Sequence, residues 1–516
     1  MLPHIPMPVR TPTVEKLSAI ALEYGFDLSE ADLQTFQRLV AGELAGYARL
    51  DELAEPGLPV RHARTSGHRA RPEENPLNAW YWRCSIRGTG EGPLAGKRIA
   101  IKDNVCVAGV PMMNGSATLE GYVPEADATV VARILDAGGE IAGKAVCEHL
   151  CFSGSSYTSD TGPVRNPHDR TRSAGGSSSG STALVVSGEV DMAVGGDQGG
   201  SVRIPSAWCG AYGLKPTYGL VPYTGAFPIE ITLDHLGPIA ATVRDVALLL
   251  ETIAGEDGLD PRQHDVRRDR YVDALGRGAA GLRIGVVREG FGWDASEPAV
   301  DEAVRAAAER FAVAGATVRE VTVPMHRDGI HIWAGIANEG AATLMIRGNA
   351  MGTNWKGHYT TSLLDAFARG RRARANDLHE TVKLMVLVGQ YLQDAYHGRY
   401  YAKAQNLARP LTAAYDAALQ EVDLLLMPTM PRTAAPLPGP EASLEERSRL
   451  GAPIVNTGPF DVTGHPAMNV PCAQAEGLPV GLMLIGRPWE DAHVLRAAHA
   501  FEQLGEYQVQ PARTAG

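Results

Sequence analysis

The residues best suited to chemistry in this chain lie in two glycine- and serine-rich loops. Gly175-Gly176-Ser177-Ser178-Ser179-Gly180-Ser181 is followed by Gly195-Gly196-Asp197-Gln198-Gly199-Gly200-Ser201. Glycine admits positive φ and lets backbone N–H groups approach a ligand, and consecutive N–H groups in such turns make an anion-binding concavity. Three chemistries compete for this pattern. A phosphate cradle needs Gly-Lys-Ser/Thr in the loop, or Gly-x-Gly-x-x-Gly after a strand. Neither spacing is present, and neither loop holds a lysine. The second reading is structural: rim loops whose serines satisfy turns. The third is acyl transfer, with Ser201 attacking a carbonyl and the N–H groups around Gln198, Gly199 and Gly200 holding the oxyanion.

An attacking hydroxyl needs a base. Val202 and Arg203 follow Ser201, so there is no Gly-x-Ser-x-Gly elbow. His149, His168, His235 and His465 are available, but none sits in a motif that demands it, and each is read as structural. Lysine is the other base to consider, and it works only when neutral. Bringing its reference pKa of ~10.4 down to 7 takes ~3.4 units, or ~4.6 kcal/mol. Burial in a low-dielectric pocket supplies shifts of that order. Lys102 ends an apolar strand and suits the role, Lys97 lies in the turn before it, and Lys144 ends another strand as the rival base.

Alternating elements must position these loops. Ile99 and Ile101 alternate with Arg98, Ala100 and Lys102, as in a strand. Asp127 stands where it can cap a helix with Val130, Val131, Ile134 and Leu135 on one face, stopped by Gly138. Strands follow at 140–143 and 190–194 with a helix at 181–187 between them. A strand at 284–287 precedes a helix capped by Ser296, striped by Val300, Val304, Ala307, Ala308 and Phe311, and then a strand at 317–323. Residues 325–421 read as mostly helical, 424–427 and 479–485 as strands, and 491–501 as a helix. The pattern predicts an α/β fold with a largely buried sheet. Residues 1–75 read as a polar helical appendage with a break in 55–75. Leu33, Phe36, Leu39 and Val40 recur there at helical spacing. Such a region covers the main domain or builds a dimer.

Bulk properties narrow the function. With 516 residues, 44% hydrophobic and 21% charged, the chain reads as a soluble enzyme of one large domain with appendages, or of two to three domains. A net charge of -11 argues against a sequence-independent grip on nucleic acid or an anionic membrane. No signal-peptide pattern or membrane-length apolar run is seen, and the cytoplasm is the expected compartment. Six cysteines in this length are read as buried thiols rather than a disulfide framework. Cys147 and Cys151 are spaced like one helical turn, but they lack the further ligands of a metal site. Neither metal nor cofactor is expected.

Ordered blocks then carry a resemblance. Gly96-Lys97-Arg98-Ile99-Ala100-Ile101-Lys102-Asp103-Asn104, Gly175 to Ser181, and Gly196 to Pro205 resemble the lysine, first serine and nucleophile blocks of the amidase signature family. Gly464-His465-Pro466-Ala467 and Gly477-Leu478-Pro479-Val480-Gly481 also fit, and the resemblance spans roughly residues 75–505. It implies a central mixed twisted β-sheet flanked by helices on both faces. The domains would be an N-terminal helical region at 1–75 and a catalytic domain at 76–505 with a helical insertion at about 325–421, followed by a tail at 506–516. It further implies Ser201 as nucleophile, Ser177 in a cis peptide as bridging serine 24 positions upstream, and Lys102 as base. The amides of Gln198, Gly199, Gly200 and Ser201 would form the oxyanion hole. Ser179 departs from the family's usual glycine; were positive φ needed there, serine would cost ~1 kcal/mol.

Gln198 together with Leu220 to Pro228 is similar to bacterial amidases of nitrile pathways, some of them enantioselective. That similarity implies small aliphatic or aryl carboxamides as substrates and a homodimer. A carbamate or anilide hydrolase, and the A subunit of a tRNA-dependent amidotransferase, are the alternative enzymes. A non-catalytic scaffold would have been expected to lose Lys102, Ser177 or Ser201, and all three are present. Phe227, Ile229, Trp333 and Ile454 are the candidates to line the acyl pocket.

Overall fold

The computed structural model describes residues 9–505, so the expected tail at 506–516 lies outside the described residues. The chain forms two compact units that divide between Pro59 and Val60. The first holds two helices, Val14–Glu23 and Glu30–Glu52. Thr13 caps the first through Lys16 N–H. Ser29 and Asp32 form a capping box on the second, which satisfies two backbone donors that the first turn leaves free. Of the apolar residues read at helical spacing in this unit, Leu33 is buried, whereas Phe36 and Leu39 are exposed.

The second unit is built on one sheet. Its strands are β1 (His68–Arg69), β2 (Trp80–Arg87), β3 (Arg98–Lys102), β4 (Glu140–Ala145), β5 (Met192–Asp197), β6 (Tyr212–Lys215), β7 (His235–Ala240), β8 (Arg283–Val287), β9 (Thr317–Val321), β10 (Leu424–Pro428), β11 (Ala467–Ala475) and β12 (Leu478–Ile485). Their spatial order is β1-β2-β4-β3-β5-β7-β6-β11-β12-β10-β8-β9. Pairings are parallel at β4-β3-β5 and β10-β8-β9 and antiparallel elsewhere, so the sheet is mixed. The fold is α/β, as the alternation of elements predicts.

The period of two along the strands feeds two cores. Ile99 and Ile101 of β3 and Met192 and Val194 of β5 join one buried cluster with Val130, Val131, Ile134 and Leu135 of the helix Thr129–Asp136. Ala100 and Ala193, one residue off in register, join another with Ala183 to Val186 of the helix Ser179–Val186. Small residues on that second face let this helix approach the sheet closely. Residues 325–421 supply the helices His326–Ala341, Thr361–Ala373, Glu380–Tyr396 and Arg399–Glu421.

Three local expectations fail for identifiable reasons. Asp127 does not cap the helix after it; its carboxylate accepts from Ala108 N–H at 2.9 Å and pairs with Arg64, and Ala128 holds the cap position. Ser296 accepts from Trp293 N–H at 3.0 Å instead of capping, and Pro298 opens the striped helix Pro298–Val313. Cys147 and Cys151 do not share a helical turn, because Leu150 and Cys151 take positive φ (48° and 57°). Both thiols donate to Asn114 Oδ1, at 3.4 and 3.2 Å.

Candidate active site

The two loops meet above the ends of β3 and β5. Lys102 is the last residue of β3 and is fully buried. Its Nζ donates to Ser177 Oγ at 2.8 Å and to Gly196 O at 3.0 Å. Both partners are uncharged, and one belongs to each loop. Ser177 is also fully buried and follows a cis peptide after Gly176. Ser178 stitches the loops together. Its N–H donates to Ser201 O at 3.2 Å, while its Oγ donates to Gly196 O at 3.1 Å and accepts from Gly196 N–H at 3.2 Å. Ser201 is buried as well, with 7% of its area exposed.

Register separates the two lysines. In the parallel pair of β3 and β4, Lys144 stands opposite Ile101, and Lys102 opposite Ala145. Cross-strand partners share a face, so the two lysines project to opposite faces of the sheet. On its face Lys144 lies 2.9 Å from Asp103 Oδ1 with both side chains buried. Burial pushes the Asp103 carboxyl up, and Lys144 with the Met113 and Asn114 amides pulls it back. Lys144 therefore spends its ammonium on a carboxylate, away from the serines.

The loop at 195–201 is pinned from outside. Asp197 accepts from Gly200 N–H (2.6 Å), Val202 N–H (3.0 Å) and the Arg203 guanidinium (2.9 and 3.1 Å). Arg203 reaches on to Asp461 at 2.7 Å and Thr457 O at 3.0 Å. Burial works to raise the Asp197 carboxyl, but Arg203 overcomes it and holds Asp197 below the carboxylate range. Asp461 goes up instead, through burial and then repulsion from Asp197. The loop carbonyls are tied outward, Gln198 O to Trp333 Nε1 at 2.6 Å and Gly199 O to Thr457 Oγ1 at 2.6 Å. A trans peptide sets N–H opposite C=O, so the Gly199 N–H turns away from Trp333.

Gly200 requires its lack of a side chain: φ is +125°, and a Cβ would meet Thr457 Oγ1 at 2.4 Å. Its N–H is committed to Asp197, which removes one of the four amides expected to hold an oxyanion and leaves Gln198, Gly199 and Ser201. Ser179 starts a right-handed helix with its Oγ toward Val146 O at 3.4 Å. The strain anticipated for serine at a left-handed position therefore does not arise.

Beside Ser201 lies a cavity of about 110 Å³. Ile229, Trp333 and Ile454 line it, as the sequence suggested. Phe227 does not: it is 1% exposed and stacks edge-on against Phe367 at 5.1 Å, in the core beneath the site. The remaining wall was missed, namely Ile204, Leu233, Ala337 and the segment from Cys151 to Gly154. That segment belongs to a loop which also carries Glu148. Glu148 N–H donates to Ser177 O at 3.2 Å, and Gly176 N–H donates to Gly154 O at 2.8 Å. The Glu148 carboxyl closes the loop by accepting from Thr158 N–H at 3.3 Å. Burial pushes it up to about 7. The available signal was a third run of small residues, Ser153-Gly154-Ser155-Ser156, in the connection that follows β4.

The four histidines are engaged elsewhere. His149 faces Asp160 at 3.4 Å, His168 contacts Cys209 O at 2.9 Å, His235 contacts Leu233 O at 2.8 Å, and His465 contacts Asp416 at 3.1 Å. Among the described residues, no three His, Cys, Asp or Glu side chains group to hold a metal ion, and no helix is long and apolar enough to cross a membrane.

Comparison with known proteins agrees with this geometry. A family model described as Amidase matches residues 65–495. An enantioselective amidase of Rhodococcus rhodochrous is 49% identical over 506 residues, 97% of each chain. The A subunit of the glutamyl-tRNA(Gln) amidotransferase of Methanosarcina acetivorans is 40% identical over 425 residues, covering 81% of this chain and 86% of that one. The crystal structure of the corresponding Thermotoga maritima protein superposes with a TM-score of 0.68 at 32% identity, covering 82% of this chain and 86% of that chain. The family model begins past the N-terminal helices, whereas a match over 97% of this chain must include them.

Proposed function

This chain belongs to the amidase family and hydrolyses amides, and from that premise we propose that it does so through an acyl-enzyme on Ser201, with Lys102 as base and Ser177 as proton carrier. The observation that carries this reading is the 2.8 Å contact of buried Lys102 Nζ with Ser177 Oγ, its other hydrogen-bond partner being the uncharged Gly196 O. Ser201 Oγ bonds to the carbonyl carbon as its proton passes to Ser177 Oγ and the Ser177 proton passes to neutral Lys102. The N–H groups of Gln198, Gly199 and Ser201 take the oxyanion charge. As the C–N bond breaks, the proton returns from Lys102 through Ser177 to the leaving nitrogen. Water then attacks the acyl-enzyme by the same route in reverse. Each oxyanion donor lowers the barrier by ~2.7–4 kcal/mol.

The substrates proposed are small aliphatic or aryl carboxamides, because the cavity beside Ser201 is small and walled by Ile229, Leu233, Trp333 and Ile454. The relative that shares nearly the full length, N-terminal helices included, is an enantioselective amidase, which favours this reading over the amidotransferase one. We place the enzyme in the cytoplasm as a homodimer. Its N-terminal helices, our proposed dimerisation element, expose Leu22, Leu39 and Leu50 at 76%, 61% and 62%. The catalytic domain is proposed to span 76–505, with about 325–421 as its helical insertion.

The test is Ser201→Ala with a fluorophosphonate probe. The wild type is expected to gain one phosphonyl adduct on the Ser201 peptide, and the variant to gain none and keep less than about a thousandth of amide turnover. An adduct elsewhere, or turnover above that level, refutes the assignment. Ammonia release from glutamine alone, among the amides offered, would move the reading to the amidotransferase.

A further inference from the structure

Two thiols border the site and take no part in the proton route. Cys151 lines the cavity beside Ser201, and Cys147 is fully buried. Both donate to one oxygen, Asn114 Oδ1, at 3.4 Å from Cys147 and 3.2 Å from Cys151, so the sulfurs stand no farther apart than those two distances laid end to end. Each thiol also acts directly on the other through a side-chain hydrogen bond. The backbone bends to bring them there. Asn114, Leu150 and Cys151 take φ of 50°, 48° and 57°. Asparagine visits that region readily, but leucine and cysteine in succession persist there only where their surroundings enforce it. Leu150 N–H donates to Asn114 O at 2.9 Å and Cys151 N–H to Glu148 O at 2.8 Å, and these bonds hold the turn.

The other four cysteines have a different setting. Burial pushes the thiols of Cys84, Cys106, Cys209 and Cys472 up, which leaves them poor nucleophiles. Burial acts on Cys151 as well, but Cys147, Lys102 and Ser177 outweigh it and bring the thiol down to about 7. Burial keeps Cys147 protonated. A nucleophilic thiol thus faces a cavity, with a second thiol in contact behind it, which is the arrangement that reversible oxidation needs.

We propose that Cys151 and Cys147 are a site of reversible oxidation, at which a small hydroperoxide converts Cys151 to a sulfenic acid, Cys147 closes on it as a disulfide, and amide turnover stops until a thiol reductant reopens the pair. In the first step the Cys151 sulfur bonds to one peroxide oxygen as the O–O bond breaks, and the other oxygen leaves with the thiol proton as water. In the second the Cys147 sulfur bonds to the Cys151 sulfur as the S–O bond breaks, and the hydroxyl leaves with the Cys147 proton as a second water. Hydrogen peroxide is reduced by two electrons and two thiols are oxidised. The effect on turnover comes through the loop that carries both cysteines. Its Glu148 N–H donates to Ser177 O, and its Gly154 O accepts from Gly176 N–H. A disulfide draws Cys151 toward Cys147 and disturbs the clamp on Ser177. That consequence rests on the Ser177 role of the preceding section, whereas the covalent change does not.

The test treats the full chain with hydrogen peroxide and follows both amide turnover and mass. The tryptic peptide 145–165 contains these two cysteines, no other cysteine and no methionine. It is expected to lose two hydrogens as turnover falls at least tenfold, and dithiothreitol is expected to restore both. Cys147→Ser should instead give a dimedone adduct on Cys151. Cys151→Ser, which keeps a donor for Asn114 Oδ1, should lose its own starting activity at least tenfold more slowly than the wild type. Lost turnover with peptide 145–165 unchanged in mass overturns the proposal, as does loss at the wild-type rate in Cys151→Ser. A disulfide in that peptide with turnover intact overturns the switch and leaves the Ser201 assignment to its fluorophosphonate test.

Discussion

Replacing the two buried lysines by methionine, one at a time, is expected to give opposite phenotypes. The substitutions are identical in chemistry and lie on neighbouring strands. Lys144→Met strands Asp103, whose side chain is 1% exposed and sits 2.9 Å from the lost ammonium. Removing one partner of a buried ion pair costs ~3–5 kcal/mol, because the other charge is left uncompensated. The Met113 and Asn114 N–H groups, at 2.9 and 2.8 Å, still solvate that carboxylate and argue for the lower end. Burial already raises Asp103, and losing Lys144 raises it further. A carboxyl whose folded pKa exceeds its unfolded value adds stability below the unfolded pKa and loses it as pH rises through the folded one. The Tm deficit of Lys144→Met should therefore be larger at pH 8 than at pH 5. Lys102→Met strands no charge. It removes two hydrogen bonds, each worth a net ~0.5–1.5 kcal/mol, and places an apolar chain of similar length in a buried slot. The assay pairs thermal unfolding with kcat on a primary amide, counted per folded enzyme. Lys144→Met should lose several degrees of Tm and keep kcat within about threefold. Lys102→Met should keep its Tm within a few degrees and lose at least ~10³-fold in kcat, as for removal of a catalytic unit's member. If folded Lys144→Met loses as much kcat as Lys102→Met, the assignment of the base is wrong.

Two further outcomes follow from the loop that clamps Ser177. Glu148 is pushed by burial up to about 7, above its unfolded value of ~4.3, so the native state holds a proton that the unfolded chain releases between those pH values. Glu148→Gln keeps an acceptor for Thr158 N–H and cannot titrate. Its Tm relative to wild type should therefore climb between pH 5 and pH 8, by the equivalent of a few kcal/mol, and a pH-independent difference would exclude this role. Cys151 lines the cavity beside Ser201. Burial raises its thiol, but Cys147, Lys102 and Ser177 together pull it below the ordinary thiol range. Iodoacetamide should inactivate the enzyme, with an amide substrate slowing the loss and Cys151→Ala resisting it. Equal inactivation rates for wild type and Cys151→Ala would move the reactive thiol elsewhere.

What the sequence revealed tracks what is periodic or contiguous. The stripe Val300, Val304, Ala307, Ala308 and Phe311 is buried as its 3.6-residue period requires, and the strand ending at Lys102 is where its alternation sets it. The helix caps were misread because serine and aspartate have several uses. Asp127 and Ser296 each found a backbone donor outside the helix, and local spacing holds no record of that choice. The choice between Lys102 and Lys144 was hidden for a different reason. Both sit near the ends of strands with similar apolar patterns, and the distinction is a one-residue offset in how two parallel strands pair. That offset puts one lysine under the serines and the other against Asp103. The same logic separates Ile229 from Phe227. They are two residues apart, as in a strand where both would face one side, but Phe227 is tied by Asn104 and Tyr223 through its backbone and turns its ring down onto Phe367. Pocket walls are made by segments distant in sequence, here 151–154, 198–204, 229–233, 333–337 and 454, so no window of the chain contains them. The two glycine- and serine-rich blocks escape this difficulty because their geometry is local. Ser177 and Ser201 stand at the two ends of one helix–strand unit whose length fixes their separation, and the only distant element that must arrive is the end of β3.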